Sequence, residues 1–134
     1  MTTIDILDPS VRTGDAMVDG QHRAILATVR EIEEAVQNGT ARARSSYWLD
    51  LFRDYLIEHF KSEDALMVRT KYPNLERHRA AHRAIAIEVH SLLSASQNGT
   101  VVVPSEIQAV ARLFVAHIQS DDREMAIFTQ DAHH

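Results

Sequence analysis

Apolar residues recur at three- and four-residue spacings over four stretches of the chain, and no stretch reads convincingly as a strand. The first runs from about residue 19 to 38 and places His22, Ile25, Leu26, Val29, Ile32 and Val36 on one face. Asp19 is its expected N-cap and Gly39 its stop. The second runs from about 42 to 70, turns Trp48, Phe52, Tyr55, His59, Glu63 and Leu66 inward, and breaks at Lys71-Tyr72-Pro73-Asn74. The third runs from about 75 to 96, with Leu75, His78, His82, Ile85, Val89 and Leu92 forming a bundle seam. The fourth runs from about 104 to 130 and carries Ile107, Val110, Phe114, His117, Asp121, Met125 and Phe128. Pro104 suits a first helical turn, and Glu106 suits the positive end of the helix dipole. Val101-Val102-Val103, just before that proline, reads as an extended connector. Short connections between long helices favour antiparallel neighbours. The pattern therefore predicts an all-α fold: an up-down-up-down antiparallel four-helix bundle, one domain over residues 1–134, with a non-helical N-terminal arm over residues 1–18.

Composition narrows the class of protein. A chain of 134 residues supports one domain with a real core, and 45% apolar with 25% charged residues reads as soluble and globular. A net charge of −5 argues against a nucleic-acid partner. The absence of cysteine excludes disulfides, thiolate zinc sites, iron–sulfur clusters and covalent c-type haem attachment. Met1 to Pro9 shows no basic start followed by an apolar run, and no segment reaches the roughly 20 apolar residues of a membrane span. The expected location is the cytoplasm, with no membrane contact.

The inner faces carry unusual chemistry. Every predicted helix has a histidine on its apolar face, and two helices add a carboxylate. The set is His22, His59, Glu63, His78, His82, His117 and one of Asp121 or Asp122. Residues four apart lie one above the other on a helix, so His59 with Glu63, and His78 with His82, can each reach a common point. Unpaired imidazoles and an ionised carboxylate in a core would be costly, and metal ions supply the missing partners. Nitrogen and oxygen donors without thiolate suit iron, manganese or zinc, and bridging carboxylates favour a pair of ions. A ferritin-like centre would use Glu-x-x-His motifs, and a structural zinc site would leave several inner polar groups unexplained. A straight helix at 3.6 residues per turn places Asp121 under His117 and rotates Asp122 away by about 140°. Glu58, Asp64 and Glu88 read as solvated faces, His90 as facing solvent, and His133 and His134 as tail.

A short repeat accompanies this set. Gln37-Asn38-Gly39-Thr40 recurs as Gln97-Asn98-Gly99-Thr100, which is explained by shared helix-stop chemistry. The offset of 60 also takes His22 to His82, which raises the idea of two pseudo-symmetric hairpins.

The ordered set Asp19-Gly-Gln-His22, His59-Phe-Lys-Ser-Glu63-Asp64, Tyr72-Pro73, His78-x3-His82 and His117-Ile118-x3-Asp122 resembles the hemerythrin family, over about residues 11 to 128. The resemblance implies a non-haem di-iron centre (Fe2+/Fe3+). It implies that His78, His82 and His117 bind one iron and His22 and His59 the other, and that Glu63, Asp122 and a solvent-derived oxo or hydroxo group bridge them. It selects Asp122 over Asp121, since the family takes its aspartate five residues after this histidine. It further implies reversible dioxygen binding, as a peroxide-level adduct, at an open position on the two-histidine iron, for oxygen storage, delivery or buffering. Phe60, Phe114 and Ile118 are the expected apolar wall of that pocket. Nitric oxide, azide and other small anions are further expected ligands. A sensor of oxygen, nitric oxide or redox state acting through a separate partner, and a di-iron enzyme with peroxidase-like or iron-handling activity, are the competing functions. The spacer from His82 to His117 is longer than the family pattern.

Overall fold

The computed structural model describes residues 12–39, 45–99 and 103–132. Helices α1 (Ala16–Gln37), α2 (Ser45–Thr70), α3 (Leu75–Gln97) and α4 (Pro104–His117) follow one another. The fourth rod continues through a π-helical turn, Ile118–Asp122, into α5 (Arg123–Ala132). The described residues contain no strand. Each helix packs on the next, and α4 packs on α1. Ile32 and Ala35 late in α1 share a buried cluster with Trp48, Leu49 and Phe52 early in α2, Val89 and Leu93 late in α3, and Ile107 and Val110 early in α4. At the opposite level His22, early in α1, meets Glu63, late in α2, and His78, early in α3, meets Asp122 beyond the end of α4. Helix direction therefore alternates around an all-α bundle.

The start of α1 differs from the expectation. It begins at Ala16, and its cap is Asp15, whose Oδ1 accepts from the Met17 and Val18 N–H groups at 3.1 Å each. Asp19, the expected cap, instead closes the preceding turn. It accepts from the Thr13 N–H at 2.8 Å, the Thr13 hydroxyl at 2.9 Å and the Gly14 N–H at 3.1 Å. Both aspartates precede the apolar stripe, so periodicity alone does not separate them. The segment entering α1 is pinned to α5: the Thr129 hydroxyl and the Gln130 amide donate to the carbonyls of Thr13 and Arg12.

The α2–α3 turn sets the register of the site. The Tyr72 N–H donates to the Met67 carbonyl (2.9 Å) and the Lys71 N–H to that of Val68 (3.2 Å). This is a Schellman ending, with Lys71 at φ 58° in the left-handed region where glycine is usual. α3 then starts four residues later and faces His78 and His82 toward Glu63. Gly39 (φ 72°) and Gly99 (φ 86°) follow α1 and α3 in the same left-handed conformation, which accounts for the tetrapeptide repeat as helix-stop chemistry.

Two inner positions shift from the predicted faces. Tyr55 is 37% exposed, and Leu56 takes the inner place, because it lies closer to the Phe52–His59–Glu63 line on the helix. Leu93 is buried where Leu92 is only partly so. The Val36 side chain, Val101, Val102, His133, His134 and arm residues 1–11 lie outside the described residues.

Candidate metal centre

The seven side chains selected from the sequence converge at one level of the bundle, and each is at most 7% exposed. On one side, His78 Nε2, His82 Nε2 and His117 Nε2 surround Glu63 Oε1 and Asp122 Oδ1, at N–O separations of 2.9–3.4 Å. On the other, His22 Nε2 lies 2.8 Å from Asp122 Oδ2 and 3.5 Å from Glu63 Oε2, and His59 Nε2 lies 3.1 Å from Glu63 Oε2. Each carboxylate thus turns one oxygen to each side. The hairpin α1–α2 supplies the two-imidazole side and the second hairpin the three-imidazole side.

These groups fit a pair of cations. Donors within 4.8 Å of one another form two sets, one of five residues and one of four, that share Glu63 and Asp122. First-row metal–ligand bonds of about 2.1 Å place ligands at right angles about 3.0 Å apart, which is the spacing seen here. His59 Nε2, His117 Nε2, Glu63 Oε2 and Asp122 Oδ1 are buried and make no aligned hydrogen bond, although each has an oppositely polar neighbour within 3.1 Å. Close approach without hydrogen-bond alignment is what ligands of a common ion show.

Charge in the cluster is tightly coupled. Burial opposes ionisation of Glu63, yet His59, His78 and His82 hold its carboxyl well below the usual carboxylate range. Burial and the Glu63 charge oppose ionisation of Asp122, yet His117 and His22 hold it low. Burial disfavours the charged form of His78, but bonds to Asp122 and Glu63 push it up to about 10. Burial is likewise outweighed at His117 by the attraction of Asp122, which pushes it up to about 9. His22 is raised in spite of burial by Asp122, whereas burial pulls His82 down against the pull of Glu63. Without a cation, protons shared between imidazoles and carboxylates hold the cluster together, and metal binding would displace them.

The π-turn decides between the two aspartates. Five residues, Ile118–Asp122, occupy one wide turn, so Asp122 rather than Asp121 falls beneath His117. Asp122 is fully buried, its Oδ1 2.9 Å from His117 Nε2. Asp121 is 31% exposed and meets the other face of the same ring, its Oδ2 2.9 Å from His117 Nδ1. The straight-helix placement of Asp121 at the inner position is therefore corrected. Gln21 is a second group that periodicity did not single out: its Oε1 lies 3.3 Å from His59 Nδ1. Asp64, read as a solvated face, instead takes two bonds from Arg79, at 2.5 and 2.9 Å, joining α2 to α3 beside the cluster. Arg79 in turn holds the Asp64 carboxyl below its ordinary range. Glu58, Glu88 and His90 are exposed.

Of the three expected wall residues, Phe114 is fully buried and its ring lies 6.5 Å from His22 and 6.2 Å from His59, on the two-imidazole side. Phe60 is half-buried and stacks on His82 (centroids 3.8 Å, 11°), which puts it mainly against the three-imidazole side. Ile118 is fully buried in the large apolar cluster that includes Phe114. Beyond the site, Met67, Tyr72 and Met125 form a second apolar cluster, so apolar packing closes both ends. No helix among the described residues is long and apolar enough to cross a membrane.

The chain is similar to known proteins over most of its length. The hemerythrin HHE cation binding domain family matches residues 13–126. A bacteriohemerythrin of Pseudomonas aeruginosa is 26% identical over 112 residues, covering 84% of this chain and 72% of that protein. A bacteriohemerythrin of Methylococcus capsulatus is 31% identical over 70 residues, covering 52% of this chain and 53% of that one. A crystal structure of wild-type hemerythrin superposes with a TM-score of 0.74 at 25% identity, covering 87% of this chain and 90% of that one.

Proposed function

The chain belongs to the hemerythrin family of di-iron, oxygen-binding proteins, and from that premise we propose that it binds dioxygen reversibly at a centre held by His22, His59, Glu63, His78, His82, His117 and Asp122. The observation that carries this reading is the division of donors. Three imidazoles and two carboxylate oxygens face one position, and two imidazoles and two carboxylate oxygens face the other. Irons held by these residues would supply the electrons for dioxygen binding, and His22 and His59 leave their side with one protein donor fewer for an incoming ligand.

The protein's own residues account for the rest. Glu63 and Asp122 tie the two positions together, so removing either carboxylate disturbs both. Their negative charges offset part of the cations' charge where water cannot. The five imidazoles come from all four rods of the bundle, which fixes their separation through helix packing rather than through loops. Phe114, with Ile118 buried in the same apolar cluster, keeps water from the two-imidazole side and would deny a bound anion both solvation and protons. A dry site of this kind favours release of the ligand as it arrived. It serves binding rather than turnover, and no acid–base pair outside the seven residues is needed. Nitric oxide and small anions such as azide would be taken by the same side.

The experiment is an absorption spectrum of the ferrous protein taken without oxygen, with oxygen, and again under argon. A charge-transfer band that appears with oxygen and vanishes under argon establishes reversible binding. A band that decays to a stable ferric spectrum assigns the centre to sensing or turnover instead. Iron-loaded protein without any such band overturns the oxygen-binding reading.

A further inference from the structure

The two aspartates of the π-turn address the two nitrogens of one imidazole. Asp122 meets His117 Nε2 and Asp121 meets Nδ1, each at 2.9 Å. An Nε2 that coordinates a metal must keep its lone pair, so the ring proton sits on Nδ1 and is donated to Asp121. Three of the other four inner histidines are placed differently. His59 Nδ1 faces the neutral amide oxygen of Gln21 at 3.3 Å, and His22 Nδ1 and His78 Nδ1 are buried without a hydrogen bond to any described group.

We propose that Asp121 is a positioning residue for the three-imidazole position: it locks the orientation and tautomer of His117 and makes that ring a stronger nitrogen donor than His22, His59 or His78. The inference rests on the di-iron reading above and goes beyond the seven residues that it names. An anionic acceptor on Nδ1–H pushes electron density toward Nε2, whereas an amide does so far less. The ion held by His78, His82 and His117 therefore has both more protein donors and a more basic one. That predicts unequal affinities, with the three-imidazole position filling first. The π-turn is the cause, because an unbroken α-helix offers one side chain beneath His117, not adjacent aspartates on both sides of its ring.

The setting also supplies a direct test. A groove of about 220 Å³ between α3 and α4 is lined by Ala81, Ala84, Ala116, His117 and Asp121 among others. The Asp121 side chain, 31% exposed, lies between this groove and the buried His117 ring. A small carboxylate added to the solution can therefore reach Nδ1 once the Asp121 side chain is removed.

Cobalt(II) is titrated into metal-free wild type, Asp121→Asn and Asp121→Ala, while NMR follows the exchangeable imidazole N–H signals. Wild type is expected to take up two ions in sequence. Asp121→Ala should weaken the first by about 10- to 100-fold, the usual effect of losing an outer-shell partner, and leave the second unchanged. It should also lose one exchangeable N–H signal, and added formate should restore it. Asp121→Asn keeps an acceptor, so it should keep the signal and lose less affinity. If wild type takes up two cobalt ions and Asp121→Ala matches it in both affinities and all N–H signals, the positioning role is wrong and the metal site stands. Equal weakening of both positions with no formate rescue also overturns it. A folded wild type that binds fewer than two ions overturns the di-iron reading and this inference with it.

Discussion

Phe114 is where packing and function meet, and Phe114→Ala separates them. The ring is fully buried in the main apolar cluster and sits edge-on to Phe52 at 5.9 Å. Truncating a fully buried phenylalanine costs about 3–5 kcal/mol in lost transfer energy and residual cavity. Unfolding entropy per residue implies that each kcal/mol moves the melting point of a domain this size by about 3–4 °C, so the variant should melt about 10–18 °C lower. The same ring lies 6.5 Å from His22 and 6.2 Å from His59, so its loss also opens the two-imidazole side. Phe52→Ala is the control, since Phe52 is equally buried in the same cluster. Both variants are melted by circular dichroism and then exposed as ferrous protein to air. The two variants should have similar melting points, but conversion to a stable ferric spectrum should be several-fold faster in Phe114→Ala than in Phe52→Ala. Matched melting points with matched conversion rates would show that Phe114 serves packing alone.

Three further outcomes follow from the geometry. Ile118→Glu puts a carboxylate into the fully buried wall, so air oxidation of the ferrous protein should accelerate; an unchanged lifetime removes Ile118 from the pocket. Glu63→Ala removes the oxygens that face both positions and should leave less than about one tightly bound ion per chain, whereas His22→Ala should keep about one; metal analysis after gel filtration decides, and equal retention by the two variants contradicts the bridging role of Glu63. In the metal-free protein, burial opposes charge on His78 and His117, yet their carboxylate partners raise them from 6.5 to about 10 and about 9. That contribution to stability is complete below pH 6.5 and is lost as pH rises through those raised values. The metal-free protein should therefore melt lower at alkaline pH and the metal-loaded protein should not; a metal-free melting point that holds steady across this window contradicts the proton-held cluster.

Much of this was legible in the residues themselves. Helical periodicity placed His59 above Glu63 and His78 above His82, and the cost of burying such groups unpaired pointed to metal. What the residues alone do not show has two causes: departure from a straight, uniformly capped helix, and contacts made between helices. A straight helix at 3.6 residues per turn puts Asp121 at the inner position, and nothing in Ile118-Gln119-Ser120-Asp121-Asp122 announces that the turn widens. The family pattern of an aspartate five residues after the histidine carried that information, and the π-turn is its physical reason. The cap of α1 slipped from Asp19 to Asp15 because both residues satisfy the same local rule. Asp64 looked solvated because its partner Arg79 lies on the next helix, a pairing no single-helix pattern can show. Gln21 stands within Asp19-Gly-Gln-His22, but its contact with His59 depends on how α1 and α2 dock.

The central claim is that seven side chains hold two unlike metal ions. The direct measurement is an anaerobic titration of metal-free protein with ferrous iron, followed by Mössbauer spectroscopy of the loaded sample. The account predicts saturation at two irons per chain, filling the five-residue and four-residue donor sets, with two distinguishable ferrous environments. Saturation at a single iron, or two irons in one indistinguishable environment, would contradict it.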